Sequence, residues 1–195
     1  MRASRQTPTT PRPTTRQALL TAASGLLAHD PQASLDLVAQ RAGVGRATLF
    51  RQFATREALL QAVALEGLHE LDRAVATIDP QTPTRQRLRA LVAALVRSGD
   101  RLGFLLAHPA IEALPEVAQA IAAIDLRMVP LLEAARREGI VREDVPVAWW
   151  WAAAEALVYA AWKVIQRGEV SPSEAPDLVY DAILRAFGPS ERSAG

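Results

Sequence analysis

The sequence predicts an all-α fold, and three observations carry that expectation. Alanine, leucine and arginine dominate the composition, and summed over long windows these residues favour helix. Apolar residues recur at spacings of three and four, and no segment shows convincing period-two alternation. The periodic stretches are separated by Ser/Thr caps, glycines and prolines of the kind that start and stop helices.

Taken in order, residues 1–13 are rich in Pro, Thr and Arg without periodicity and predict a flexible arm. Thr14-x-x-Gln17 fits a capping box for a first helix that carries Leu19, Leu20, Ala23, Leu26 and Leu27 on one side and ends near His29. Ser34 caps a second helix through about Ala42, and Gly43 can take the left-handed conformation that ends it. A third runs from about Arg46 to Phe53. Thr55 caps a fourth, whose apolar positions 60, 63, 67, 71, 74 and 78 follow helical spacing until Asp79-Pro80. Thr82-Pro83 opens a fifth, and a short helical piece at 102–107 precedes His108-Pro109. Long helices follow over about 116–138, 147–167 and 173–187, with Pro130 inside the first of them.

Charge divides by position. The first 60 residues hold eight arginines against Asp30, Asp36 and Glu57, a net of +5, whereas the remainder carries −4. A basic front on an acidic body suggests that a polyanion meets the first segment only. There is no cysteine, which excludes disulfides and thiolate chemistry, and no uncharged apolar run of membrane-spanning length. These features predict a soluble, cytoplasmic protein that needs no cofactor.

Two short helices joined by a glycine-bearing turn and braced by a preceding helix describe a helix-turn-helix. Ala39 and Gly43 are small where the helices approach, and Val44 and Leu49 plug the joint. The exposed face of the third helix then presents Arg46, Ala47, Thr48, Arg51 and Gln52. Arg and Gln can form paired hydrogen bonds to guanine and adenine edges, and Thr can touch a thymine methyl or a phosphate.

The run Ser34-Leu-Asp-Leu-Val-Ala-Gln-Arg-Ala-Gly-Val-Gly-Arg-Ala-Thr-Leu-Phe-Arg-Gln-Phe-Ala-Thr-Arg-Glu-Ala-Leu-Leu60 resembles the N-terminal signature of TetR-family transcriptional regulators, over roughly residues 14–65. The resemblance implies a homodimer on a palindromic DNA operator, usually a repressor, released when a small-molecule effector fills the C-terminal half. It places the recognition helix on Arg46–Phe53 and its start on Gly45, where the family usually has Ser or Thr. Glycine caps nearly as well, at the loss of a hydroxyl contact to phosphate. Phe50 stands where tyrosine is common. Arg56 falls where a basic side chain reaches the DNA backbone, and Arg16 is a further candidate for phosphate. The division implied is a helix-turn-helix domain over 14–60 and a dimerisation and effector domain over 61–195.

In the second half, Trp151, Glu155, Tyr159 and Trp162 share one helical stripe. A carboxylate amid aromatic faces is the chemistry that attracts an organic cation. The alternative is that Glu155 pairs with Lys163 beside that stripe. Phe104 and His108, at the non-helical break, are further candidate ligand contacts, with a structural role as the alternative. Ala152, Ala156 and Ala160 form a small-residue surface that lets another helix approach. The resemblance makes them, with Val179 and Ile183, a candidate dimer interface; the alternative is internal packing. Glu66-x-x-His69 lacks the partners that a metal site requires, and no catalytic constellation appears. Two rival readings stand beside the regulator. One is a helical ligand-binding protein or enzyme that uses the helix-turn-helix only for packing. The other is an architectural DNA-binding protein without an effector.

Overall fold

A computed structural model of the chain describes residues 14–189, so the expected arm over 1–13 lies outside the described residues. Within them the fold is helical, without strands. Three helices form the N-terminal bundle: α1 (Thr15–His29), α2 (Leu35–Arg41) and α3 (Arg46–Gln52). The hydroxyls of Thr14 and Ser34 accept from the backbone N–H groups of Gln17 and Leu37, as their positions predict. Gln17 does not return its amide to the cap; it reaches Glu66 on the next long helix instead. Gly43 adopts φ +69°, and the Val44 N–H closes onto Ala39 O at 3.0 Å, so a side chain at 43 would be strained in the turn. Leu19, Leu27, Val38, Leu49 and Phe53 fill the space between the three helices.

α4 (Arg56–Ala76), capped by the Thr55 hydroxyl, leaves this bundle and runs into the second half. There α5 (Thr84–Arg97), α8 (Pro115–Arg137), α9 (Val147–Gln166) and α10 (Ala175–Phe187) pack around a shared apolar core. α4 lies on α8, while α10 lies on both α5 and α9. Two short helices, α6 (Gly99–Leu102) and α7 (Pro109–Glu112), flank a 3-10 turn over Gly103–Ala107. α8 continues through Pro130, and the Leu126 side chain one turn before it is 74% exposed.

Starts differ between the halves. α5, α7, α8, α9 and α10 begin at or beside Pro83, Pro109, Pro115, Pro146 and Pro176, with no side-chain cap. Proline presets the backbone angle and removes one of the donors that a helix start leaves unpaired. α6 wedges between α1, α4 and α9, and the Gln166 side-chain amide donates to Ala28 O at the end of α1. The helices that carry the second half therefore touch the N-terminal bundle directly.

Candidate nucleic-acid interface and cavity

Burying Leu49 and Phe53 turns the opposite side of α3 outward. Arg46, Ala47, Phe50, Arg51 and Gln52 are exposed there, and Thr48 is half-exposed. Gly45 starts the helix in an extended conformation without a side-chain cap, and its carbonyl accepts from Thr48 N at 2.9 Å. Arg46 is held by Asp36 on α2 at 2.7 Å, and its guanidinium lies over the Phe50 ring, 5.3 Å from the centroid. Both members of that ion pair are more than half exposed, so it holds the side chain weakly. Arg16 is exposed on α1, with its guanidinium 4.6 Å from the Phe53 centroid. The result is an outward cluster of arginines around one short helix, with planar donors free to turn toward an anionic surface.

The second half holds a partly open cavity of about 450 Å³. Its floor and sides are apolar, from Leu68, Leu71, Ile121, Ile124 and Met128, and its aromatic wall is Trp151, Tyr159 and Trp162 from α9. Trp162 donates its indole N–H to Val96 O at 2.9 Å and stands on the backbone of Gly99 and Gly103. A methyl group at Gly99 would overlap that indole, so the close approach of α6 to α9 requires glycine. Glu112, Asp125 and Glu155 also line the cavity. Burial is the main cause that lifts Glu155 above the ordinary carboxylate range, and the charges of Asp125 and Glu112 add to it. A hydrogen bond from Trp151 works the other way. Burial likewise raises Asp125.

The N-terminal helices match the family of bacterial regulatory proteins of the tetR type over residues 19–63. Beyond that segment, the chain is 33% identical to the HTH-type transcriptional repressor LfrR of Mycolicibacterium smegmatis over 156 residues, 79% of this chain and 80% of that protein. The chain belongs to the tetR family. The crystal structure of the TetR-like regulator LfrR from Mycobacterium smegmatis in complex with proflavine superposes with a TM-score of 0.74 at 28% identity, covering 90% of this chain and 98% of that one. The fatty acid degradation regulator FadR from Bacillus halodurans shares the fold, with a TM-score of 0.70 at 13% identity, over 90% of this chain and 97% of that one. As a tetR-family member the protein is a DNA-binding transcription regulator and not an enzyme. Among its described residues, no helix is long and apolar enough to cross a membrane.

Several residues singled out in the sequence sit elsewhere in this tetR-family fold. Arg56, expected from the resemblance to reach the DNA backbone, is engaged within its own chain. It is half-buried, and its guanidinium donates to Pro31 O at 2.8 Å and to Ala33 O, so it braces the loop between α1 and α2. Phe104 is buried in the core and is not among the residues that line this cavity. His108 meets its ring edge-on at 5.8 Å and bonds Phe104 O through Nδ1, so it too stays off the cavity wall. The 3-10 turn explains this: residues three apart eclipse, so Leu102 and Leu105 face the cavity and Phe104 turns away.

Val179 and Ile183 are each 4% exposed within their own subunit, on the stripe that packs α10 against α5 and α9. They are core residues and not an interface. The outward side of α10 carries Leu178, Asp181 and Arg185. Ala152 and Ala156 border the cavity, while Ala160 is exposed away from it. Trp151, Glu155, Tyr159 and Trp162 all line the one cavity. Lys163 does not pair with Glu155; its ammonium lies 5.8 Å from the Tyr159 centroid. Asp125 and Glu112 went unnoticed in the sequence because nothing local marks them. Each is one acid among apolar neighbours on a separate helix.

Proposed function

We propose that the protein is a ligand-responsive repressor that binds a palindromic operator as a homodimer and leaves it when an organic cation fills the cavity. The observation that carries this reading is one helix, α9, which presents Trp151, Glu155, Tyr159 and Trp162 to a cavity while its last turn contacts the N-terminal bundle. A ligand that binds one arrangement of these elements better than another shifts the population between them. Trp162 rests on α6, and α6 packs on α1, so a ligand that moves this indole acts on the element that orients the recognition helix. A cation is favoured because the wall offers carboxylates and aromatic faces and no basic side chain. LfrR, crystallised with proflavine, is a relative whose ligand is itself a planar organic cation.

In this reading Arg46, Ala47, Thr48, Phe50, Arg51 and Gln52 face the DNA, with Gly45 at the helix start and Arg16 on phosphate. The subunits meet through the outward sides of α9 and α10. Trp149, 65% exposed, and Leu178, 57% exposed, are large apolar groups on these outward sides, and covering them removes apolar surface from water. Ala160 gives the close approach between them.

The test is footprinting on DNA selected by the protein from a random pool, combined with light scattering. The expected result is a protected palindrome and a dimer, with Ala160→Arg and Leu178→Arg both shifting the protein to monomer by burying unpaired charge. A monomeric wild type, or protection without two-fold symmetry, contradicts the reading.

A further inference from the structure

The acidic groups of the cavity outnumber what one cationic centre can satisfy. Glu112 comes from α7, Asp125 from α8 and Glu155 from α9, so three separate elements deliver a carboxylate to one wall. No lysine, arginine or histidine lines the cavity. The basic groups nearby are engaged elsewhere: Arg127 pairs with Asp72 at 2.7 Å and Arg101 with Glu70 at 2.8 Å. The Lys163 ammonium sits over Tyr159 and forms no ion pair among the described residues. On α8 the neighbours of Asp125 along the cavity are Ile121, Ile124 and Met128, which offer it nothing polar. Among the described residues, Glu155 has a donor on the wall, the Trp151 indole.

Like charges gathered beside apolar surface repel one another, and Asp125, partly buried, also loses hydration, whereas Glu112 and Glu155 keep contact with solvent. The same burial favours the protonated forms of Asp125 and Glu155. A monocation beside Glu155 neutralises one group and leaves Asp125 and Glu112 without a counter-charge on the cavity lining.

We infer that the cavity prefers flat aromatic ligands with two positive centres, one held by Glu155 and the other by Asp125 with Glu112. The inference rests on the reading of the cavity as the effector site for organic cations and specifies the ligand class further. Trp151, Tyr159 and Trp162 supply faces for the rings, and the volume of about 450 Å³ suits a two-ring skeleton with its substituents.

A set of three biaryls of nearly equal size tests it by calorimetry on the full chain at fixed ionic strength: 4-methylbiphenyl is neutral, N-methyl-4-phenylpyridinium carries one fixed charge, and methyl viologen carries two. Methyl viologen is expected to bind about tenfold more tightly than the monocation, the return of a second charge pair in a partly dry site. The monocation in turn is expected to bind more tightly than the neutral biaryl. Asp125→Asn should bring the two cations to within about threefold of each other while barely changing the monocation. Glu155→Gln should weaken both cations. Both are near-isosteric changes at the cavity wall, and an unchanged far-ultraviolet spectrum checks their folding. Equal binding of the two cations by the wild type, or a dication preference that survives Asp125→Asn, overturns the inference and leaves the cation reading standing. Neutral biphenyl binding as tightly as both cations removes the cation reading as well.

Discussion

The two halves of the molecule place charge in opposite ways. Around α3 the arginines stand outside, on a small bundle packed through Leu19, Leu27, Val38, Leu49 and Phe53. In the second half, carboxylates from three helices turn toward a cavity with aromatic walls. Outward charge is cheap to fold, because water solvates it until a polyanion arrives, and its interaction is then strongly screened by salt. Inward charge costs stability in the empty protein, interacts more strongly with whatever enters, and is screened less. In the proposed reading, the same contrast separates a surface that scans many DNA sequences from a site that recognises a compact molecule.

Salt should break the two apart most visibly. A dimer making on the order of 6–10 phosphate contacts loses about 10³–10⁵ in DNA affinity between roughly 50 and 200 mM salt. Over the same range cation binding in the cavity should change by less than about tenfold, because the pair is partly shielded from bulk ions. Parallel titrations by anisotropy and calorimetry check this. Equal slopes would mean that the cavity carboxylates are as open to solvent as the arginines of α3.

A smaller effect separates two arginines that look alike in the sequence. Arg56→Ala removes two bonds to loop carbonyls and should cost about 1–3 kcal/mol of stability, read by denaturant unfolding, with DNA affinity reduced only through the loosened bundle. Arg51→Ala, on the exposed face, should leave stability within about 0.5 kcal/mol and weaken DNA binding directly. The reverse assignment would return Arg56 to the DNA surface.

That pair shows what sequence could and could not deliver. The helix-turn-helix was legible because its signals are local: Thr14, Ser34 and Thr55 cap as their positions predict, Gly43 ends α2, and Leu49 plugs the joint. The stripe of Trp151, Glu155, Tyr159 and Trp162 was legible for the same reason, since one helix carries it all. The role of Arg56 was not, because its partners lie more than twenty residues away in a loop. Asp125 and Glu112 join Glu155 only when α7, α8 and α9 assemble, and no spacing within a helix encodes that. Val179 and Ile183 read equally well as core or interface until α5 and α9 are seen to cover them. Phe104 and His108 looked like pocket residues because they flank the helical break, whereas the break turns Leu102 and Leu105 inward instead.

The smallest effect concerns pH. Burial holds Glu155 and Asp125 protonated to a higher pH than in the unfolded chain, so the folded state binds more protons in that window. Their contribution to stability is therefore greatest below the unfolded carboxylate value and is lost as pH rises through the raised folded values. Glu155 is open to the cavity, so its share is screened to a fraction of about 1 kcal/mol. Glu155→Gln should flatten the fall in melting temperature as pH rises above the ordinary carboxylate range, and an organic cation should bind more tightly over the same rise as the carboxylates ionise. An unaltered pH profile in the variant would show that Glu155 meets the solvent like any surface acid.

In the proposed reading, occupancy of the cavity and grip on DNA are coupled through α9. Its most direct test is fluorescence anisotropy of a labelled operator, selected by the protein itself, titrated with proflavine for the wild type and Glu155→Gln. Proflavine bound to the DNA alone is subtracted with a protein-free control. The account predicts equal DNA affinity for the two proteins without ligand. It also predicts release of the wild type by proflavine and a requirement for about tenfold more proflavine in the variant. Release at the same concentration in both proteins, or no release of the wild type at saturation, would contradict it.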